Sequence, residues 1–556
     1  MGASCSNGTT GTVDSVQPEK TLTFKELLQT WTSDEGNTVE LPVEELVYEP
    51  HPDGNLVFGT TENYEVFFEE VKKNSTNDQL FEDDVFPADS SSLYFVERDS
   101  NVDDVEWKRP HELCNAPLLQ VDGISRDDVI QGALSDCWFL ASCAGVAKHK
   151  ALISMVVKGD QPLHGEGYCG IVHFRFWRFG SWVDVIIDDR LPTVNGKLLY
   201  AHSSNTNEFW PALIEKAYAK LNGAYDGLNG GMASDAMVDL TGGLAEVFKL
   251  KPESGSDLEI FRDLYRGIKC SAFMTCSKKG AWQLANTDAQ GIVSGHSYTI
   301  TAVKWVSLVD DSQMPLLRVR NPWGNSSEWT GDFSDGSPAW NRVKPNDKEA
   351  LDPQDKDDGE FWISYQDFCG EFTRVIMCRL AENQLQTDLS SLHTVSIRGA
   401  WIKGVTAGGS RNDIDSFMMN KQYILRVTEA DEWNSEEDTS AKWGRCSVII
   451  SLLQEYRSSK KNYAAKKDNI GFVVYKTPLE DGKQGVSKED ILYTQDIGTS
   501  GPFINHREVN RLLSKCMAKC CLISSFLFLI IVRLKEEKSI KERGHLKRGE
   551  GDIDYG

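Results

Sequence analysis

The 556-residue chain has no excess of positive charge. Its 59 lysines and arginines face 83 aspartates and glutamates, for a net charge of −24. Binding to nucleic acid requires a basic footprint on phosphates, so no nucleic-acid partner is expected. Cations suit clustered carboxylates better, although most acidic residues on such a surface serve solubility. There is no C-x-x-C pair, and the 13 cysteines are odd in number and scattered. That argues against zinc ribbons, redox couples and a disulfide framework, and for reduced thiols. Signal-peptide character is missing from the first thirty residues, so a cytoplasmic location is expected. No apolar run reaches the ~20 residues that cross a bilayer; Cys520–Val532 is an apolar stretch that falls short. No D-x-[DN]-x-[DN]-G loop follows the last strand-like segment.

Ordinary globular composition is present, with 40% hydrophobic, 26% charged and 10% aromatic residues, and the length implies several domains. Residues 1–61 read as a flexible leader rich in Thr, Ser, Gly, Asn and Glu. A first lobe follows over 62–232. It has a buried helix within 132–149, a hairpin turning at Gly180-Ser181, and a helix over 208–221. A second, strand-rich lobe spans 233–382, with strands over 297–303 and 316–319. Over 383–515, short β-prone runs at 394–397, 422–427, 446–453 and 470–475 predict a β-sandwich. Residues 516–556 form a divergent tail, apolar and then charged. Its apolar run reads as a replacement sandwich strand or as an unrelated terminus.

The strongest local signal is Gln131-Gly-Ala-Leu-Ser-Asp-Cys137-Trp, a turn that delivers a cysteine to the start of an apolar helix. A thiol there meets the positive end of the helix dipole, which favours thiolate, and free N–H groups that can also hold an oxyanion. Cys143, Cys270 and Cys378 read as inert packing. In Gly295-His296-Ser-Tyr a histidine stands at the start of a strand as candidate base. In Arg320-Asn321-Pro-Trp323-Gly324 an asparagine oxygen can accept the second ring N–H of that histidine, with the indole as a shield. A lone histidine or Asn-Pro step would mean only structure. The order Cys, His, Asn is that of papain-like thiol proteases.

These words resemble those of the calpain family. So do Phe81-Glu-Asp, Trp107-Lys-Arg-Pro110, Asp188-Asp-Arg-Leu-Pro192, Asn207-Glu-Phe-Trp210, Glu215-Lys-Ala-Tyr-Ala-Lys220, Thr241-Gly-Gly243 and Asp358-Gly-Glu-Phe-Trp362. The resemblance runs from about Asn63 to Leu513. It implies an α+β fold, with a two-lobed papain-like cysteine protease core followed by a C2-like antiparallel β-sandwich. It also implies a calcium-activated intracellular cysteine endopeptidase acting on protein substrates, apparently without the family's C-terminal EF-hand module. Gln131 would join the Cys137 N–H in the oxyanion hole. Two Ca2+ ions are expected in the core. The first would take the carbonyls of Val121 and Gly123 with Asp128 and Glu208. The second would take Glu328, Asp335, Asp358, Glu360 and the Lys356 carbonyl. Arg126 and Glu360 match a pair that links the lobes.

Departures from the family pattern are Ser135, where glycine is common, and an apparent insertion at Ser326. The acidic stretch Glu429–Asp438 reads equally as a calcium or core contact and as a solvated loop. Gly2 and Ser6 fit an acylation pattern, with Cys5 as a second lipid acceptor, so association with a membrane surface stands beside an ordinary leader. The rival functions are a catalytically silent calpain-like binding module and a thiol transferase.

Overall fold

The computed structural model describes residues 57–380, apart from short stretches such as 97–104 and 281–286, and separate segments between 393 and 542. Gly2, Cys5, Ser6, Ser326, the acidic stretch 429–438 and residues 543–556 lie outside the described residues. Everything described belongs to one unit, Pro50–Arg543.

In the first lobe, helix α1 (Cys137–Ala147) has every residue from Trp138 to Ala147 buried. A helix apolar on all sides belongs in an interior, and α1 packs against elements of both lobes. Beside it, strands β1 (Ile171–Arg178) and β2 (Ser181–Asp188) form the expected antiparallel hairpin, with Trp177 opposite Trp182. Val57–Phe58, read from sequence as leader, pair with Val185 and Asp184 of β2. Helix α2 (Trp210–Leu221) is buried throughout.

The interior position of α2 brings two lysines into the core, and each finds a carboxylate. Lys216 Nζ lies 2.6 Å from Asp188, and Lys220 Nζ lies 2.7 Å from Asp83. Arg190 binds Asp188 at 2.7 Å, and Arg109 pairs with Asp189. Burial opposes charge on Asp188, but Lys216 and Arg190 outweigh it and hold the carboxyl below the ordinary range. The charged words around 81–83, 107–110, 188–192 and 215–220 are therefore one buried ion network.

Helix α3 (Ala233–Thr241) ends at Gly242 in the left-handed conformation and leads into the second lobe. Its strands are β3 (Leu244–Lys249), β4 (Phe273–Ser277), β5 (Ser297–Ser307), β6 (Gln313–Arg320), β7 (Glu360–Ser364) and β8 (Arg374–Arg379). They make one antiparallel sheet in the order β7-β6-β5-β4-β8-β3. The sheet covers a core that includes Phe261, Tyr298, Phe361, Tyr365 and Phe372. The register of β6 against β5 shifts between Arg318 and Val319. A shift of this kind re-aims the chain, here just before Asn321.

Beyond residue 393 the strands are β9 (His393–Gly399), β10 (Lys421–Leu425), β11 (Cys446–Leu453), β12 (Gly471–Lys476), β13 (Asp496–Thr499), β14 (Glu508–Cys516), β15 (Cys520–Ser525), β16 (Phe528–Leu534) and β17 (Ile540–Glu542). They form two sheets, β9-β16-β11-β14 and β13-β12-β15-β10-β17. The apolar run Cys520–Val532 supplies β15 and most of β16, each flanked by strands on both sides, so this stretch completes the sheets instead of exposing an edge. Among the described residues, no helix is long and apolar enough to cross a membrane.

Candidate active site at the junction of the lobes

Asp136 and Cys137 begin α1. The Asp136 carbonyl accepts the N–H groups of Phe139 and Leu140 at 2.8 and 3.1 Å, which sets Cys137 in the first turn. The preceding turn fits tightly: a Cβ on Gly132 would meet the Tyr200 carbonyl oxygen at 2.2 Å. Ser135 donates its N–H to Asn229 Oδ1 at 3.3 Å and accepts from Gly230 N–H at 3.0 Å. It is absent from the described non-glycine residues with positive φ, so its side chain costs no backbone strain.

His296 stands immediately before β5 and after Gly295, whose φ is +71°. The ring is only 4% exposed. Its Nε2 lies 2.7 Å from Asn321 Oδ1. Asn321 Nδ2 donates to the Ser327 carbonyl at 3.1 Å, while Oδ1 also accepts the Trp323 N–H at 3.1 Å. Those two partners fix which end of the amide is oxygen. Nε2 must then carry the proton, which leaves Nδ1 as the basic nitrogen. Trp323 covers the ring at 4.8 Å between centroids.

The lobes meet around this centre. Gln131 N–H donates to the Pro322 carbonyl at 3.2 Å, and Trp323 Nε1 donates to Gln131 Oε1 at 3.0 Å. Gln131 Nε2 donates to the Leu134 carbonyl at 2.7 Å, which orients the amide with one N–H still available. Thr299 Oγ1 donates to the Ala141 carbonyl in α1 at 2.8 Å. Arg126 and Glu360 are brought together at 3.0 Å, and the second Glu360 oxygen accepts from Thr301 at 2.7 Å.

The electrostatics differ from the sequence expectation of a depressed thiol. Burial pushes the Cys137 thiol up to about 11; Ser297 hydrogen bonds oppose the shift and the neighbouring Asp136 charge adds to it. Burial likewise lowers His296 to about 4 against its hydrogen bond to Asn321. The helix dipole is real, but exclusion of water outweighs it. Among the described residues, no hydrogen bond joins the thiol to the imidazole.

Of the expected calcium donors, those of the first lobe converge. Glu208 accepts the Val121 N–H at 2.7 Å and the Ser203 hydroxyl at 2.6 Å. Asp128 accepts the Ser125 N–H at 2.7 Å and the Trp210 indole at 3.1 Å. The two carboxyls face one another, and both are raised, first by burial and further by neighbouring negative charge. Beside them, Asp122 and Gly123 take positive φ, at 55° and 93°. Two apposed, desolvated carboxylates beside a bent backbone fit a hard cation.

The second set is less gathered. Glu328 accepts the Gly359 N–H at 2.6 Å, Asp358 the Glu360 N–H at 2.9 Å, and Asp335 the Lys356 N–H at 3.1 Å. These acids come from two segments, one around 328–335 and one around 356–360, and each already accepts a backbone N–H. Among the described residues, no group of three or more His, Cys, Asp or Glu side chains is arranged to hold a metal.

Sequence reasoning missed Ser297, which meets the sulfur, and the Asp136–Glu215 contact beneath it. The only sequence signal for the latter was an acidic residue directly before the cysteine. Among the other cysteines, Cys143 and Cys378 are buried as expected, but Cys270 is exposed, because it caps the end of helix Leu258–Lys269.

Two lobes with a cysteine on a central helix and a His–Asn pair at the ends of two neighbouring strands of a sheet define the architecture of a papain-like thiol protease. Residues 81–379 match the model of the calpain family cysteine protease, and 397–525 match domain III of the calpain large subunit. Calpain-A of Drosophila melanogaster is 42% identical over 442 residues, covering 77% of this chain and 52% of that protein. The calpain-1 catalytic subunit of Gallus gallus is 40% identical over 466 residues, 82% of this chain and 64% of its own. Calpain-9 of Homo sapiens is 39% identical over 465 residues, 83% and 64% respectively. The chain belongs to the calpain family. Its fold is α+β, a two-lobed protease core followed by a C2-like antiparallel sandwich. It spans about half to two-thirds of the length of these relatives.

Proposed function

We propose that the chain is a calcium-activated cysteine endopeptidase that makes limited cuts in protein substrates. The observation that carries this reading is the His296–Asn321 pair next to Ser297, which meets the Cys137 sulfur, with the Asn321 amide orientation fixed by its other partners. His296 Nδ1 takes the Cys137 thiol proton as sulfur attacks the scissile carbonyl, and returns it to the leaving amine. The Cys137 N–H and the Gln131 amide hold the oxyanion. Water then hydrolyses the thioester, with His296 again as base. Because burial disfavours both charges, the proton moves as substrate closes on the site instead of resting on the imidazole.

Asp128, Glu208 and the Val121 and Gly123 carbonyls would hold one calcium ion. Glu328, Asp335, Asp358, Glu360 and the Lys356 carbonyl would be the donor set for a second. A bound ion would supply positive charge to relieve the apposed carboxylates and would stiffen the loops that carry them. Arg126 with Glu360 ties those loops across the lobes. A cytoplasmic site of action agrees with the free thiols among the described cysteines.

The test is cleavage of unfolded casein with calcium or with chelator, beside Cys137→Ala. Cleavage that requires both calcium and Cys137 is expected. Cleavage indifferent to chelator would remove the calcium switch, and cleavage by Cys137→Ala would remove the nucleophile. A folded protein inactive in both conditions would favour the binding-module reading.

A further inference from the structure

Directly beneath the candidate nucleophile lies a polar contact that the chemistry above does not use. Asp136 is 0% and Glu215 1% exposed, and their carboxyls lie against one another. Glu215 accepts the Ala201 N–H with both oxygens, at 3.0 and 3.2 Å. Among the described residues neither Asp136 oxygen has a hydrogen bond of ordinary geometry, although its own N–H and the Gln131 amide lie close enough to hold the carboxyl lower than burial alone would. Asp136 also occupies the position before α1 where an aspartate ordinarily caps the first N–H groups, yet its side chain makes no such bond. It turns inward to Glu215 instead.

The surroundings offer no compensating cation among the described residues. From the preceding turn comes the Gln131 amide, and from α1 come Cys137 and Cys143. From the segment Tyr225–Leu228 comes the Tyr225 hydroxyl, itself buried without a partner, with Tyr200 stacked on its ring. Lys216 follows Glu215 in α2, but its ammonium is spent on Asp188 and on the Asp188 and Arg190 carbonyls. Two adjacent carboxylates cannot both remain charged in such a place. One proton between them joins an Asp136 oxygen to Glu215 and removes one of the two charges.

We propose that Asp136 and Glu215 share one proton in the resting protein, and that this pair is a positioning device. It draws the aspartate off the first turn of α1, which leaves that turn uncapped and limits the pair to one negative charge near the thiol and an oxyanion. Burial raises both carboxyls; the Asp136 charge raises Glu215 further, while hydrogen bonding to Glu215 holds Asp136 lower than burial alone would. Loss of the shared proton at high pH places two negative charges under Cys137, which opposes the oxyanion, so turnover falls as pH rises through that titration. The functional half of the inference rests on the proposed protease reading; the shared proton does not.

Infrared spectroscopy of the full chain in D2O separates the two. The expected result is a protonated-carboxyl stretch at neutral pH that disappears in Glu215→Gln and in Asp136→Asn. Where one variant fails to fold, the other supplies the same difference. A wild-type spectrum identical to that of a folded variant in this region would overturn the proposal, whether or not the protein cleaves casein. In turnover, Glu215→Gln keeps KM and moves the alkaline fall in kcat upward by about one pH unit or more. Glu215→Ala, which abandons the Asp136 oxygens, loses about 10²-fold in kcat. An alkaline limb unchanged in Glu215→Gln would contradict the positioning role, because a merely structural glutamate has no reason to set it.

Discussion

At the scale of single residues, the Cys137–His296 pair is governed by removal from water. The thiol at about 11 and the imidazole at about 4 are both neutral at pH 7. Alkylation of Cys137 by iodoacetamide in the resting protein, followed by mass spectrometry, should therefore quicken steadily from pH 6 to pH 10. A preformed thiolate–imidazolium pair would instead give a rate that is flat across that interval. The sequence identified Cys137, His296 and Asn321 because each sits in a short word whose residues touch one another. The direction of the thiol shift was not legible there. It depends on burial in the folded protein, which the Ser297 hydrogen bonds only partly offset, and a dipole argument from α1 alone has no access to that. Gln131 was legible as a donor, whereas its tie to the Trp323 indole across the lobes is a tertiary fact.

At the scale of elements, α2 shows why patterning and chemistry must be weighed together. The helix carries Glu215, Lys216 and Lys220, and all three are buried. Lys216 is neutralised by Asp188 and Lys220 by Asp83. Removing one member leaves a buried charge, so Lys216→Met should destabilise the protein by about 3–5 kcal/mol in urea unfolding at pH 7. Asp188 is held below the ordinary carboxylate range. Its contribution is present above that range and is lost as pH falls through its depressed value. The deficit of Lys216→Met should accordingly shrink in strong acid, and a deficit independent of pH would contradict the ion-network account. The helices and the hairpin were legible to within a few residues because their apolar spacing is local. The partners of the buried charges were not, since the pairings join segments far apart in the chain. The apolar run at 520–532 was legible as a possible strand, but its place between β9 and β11 depends on sheet order, which no local pattern encodes.

At the scale of the whole molecule, the described contacts that join the lobes converge on one seam. Arg126 meets Glu360, Gln131 meets Pro322 and Trp323, and Thr299 meets Ala141. The same seam carries the candidate nucleophile, the candidate base and the loops with the candidate calcium donors, so on the proposed reading aligning the lobes also completes the site. Labelling with a peptidyl epoxide tests this most directly, with adducts mapped by mass spectrometry in calcium and in chelator. The account predicts a single adduct on Cys137 that forms rapidly in calcium, slowly in chelator, and about 10²-fold more slowly in His296→Ala. An adduct on exposed Cys270 instead, or equal labelling of Cys137 in His296→Ala, would contradict it.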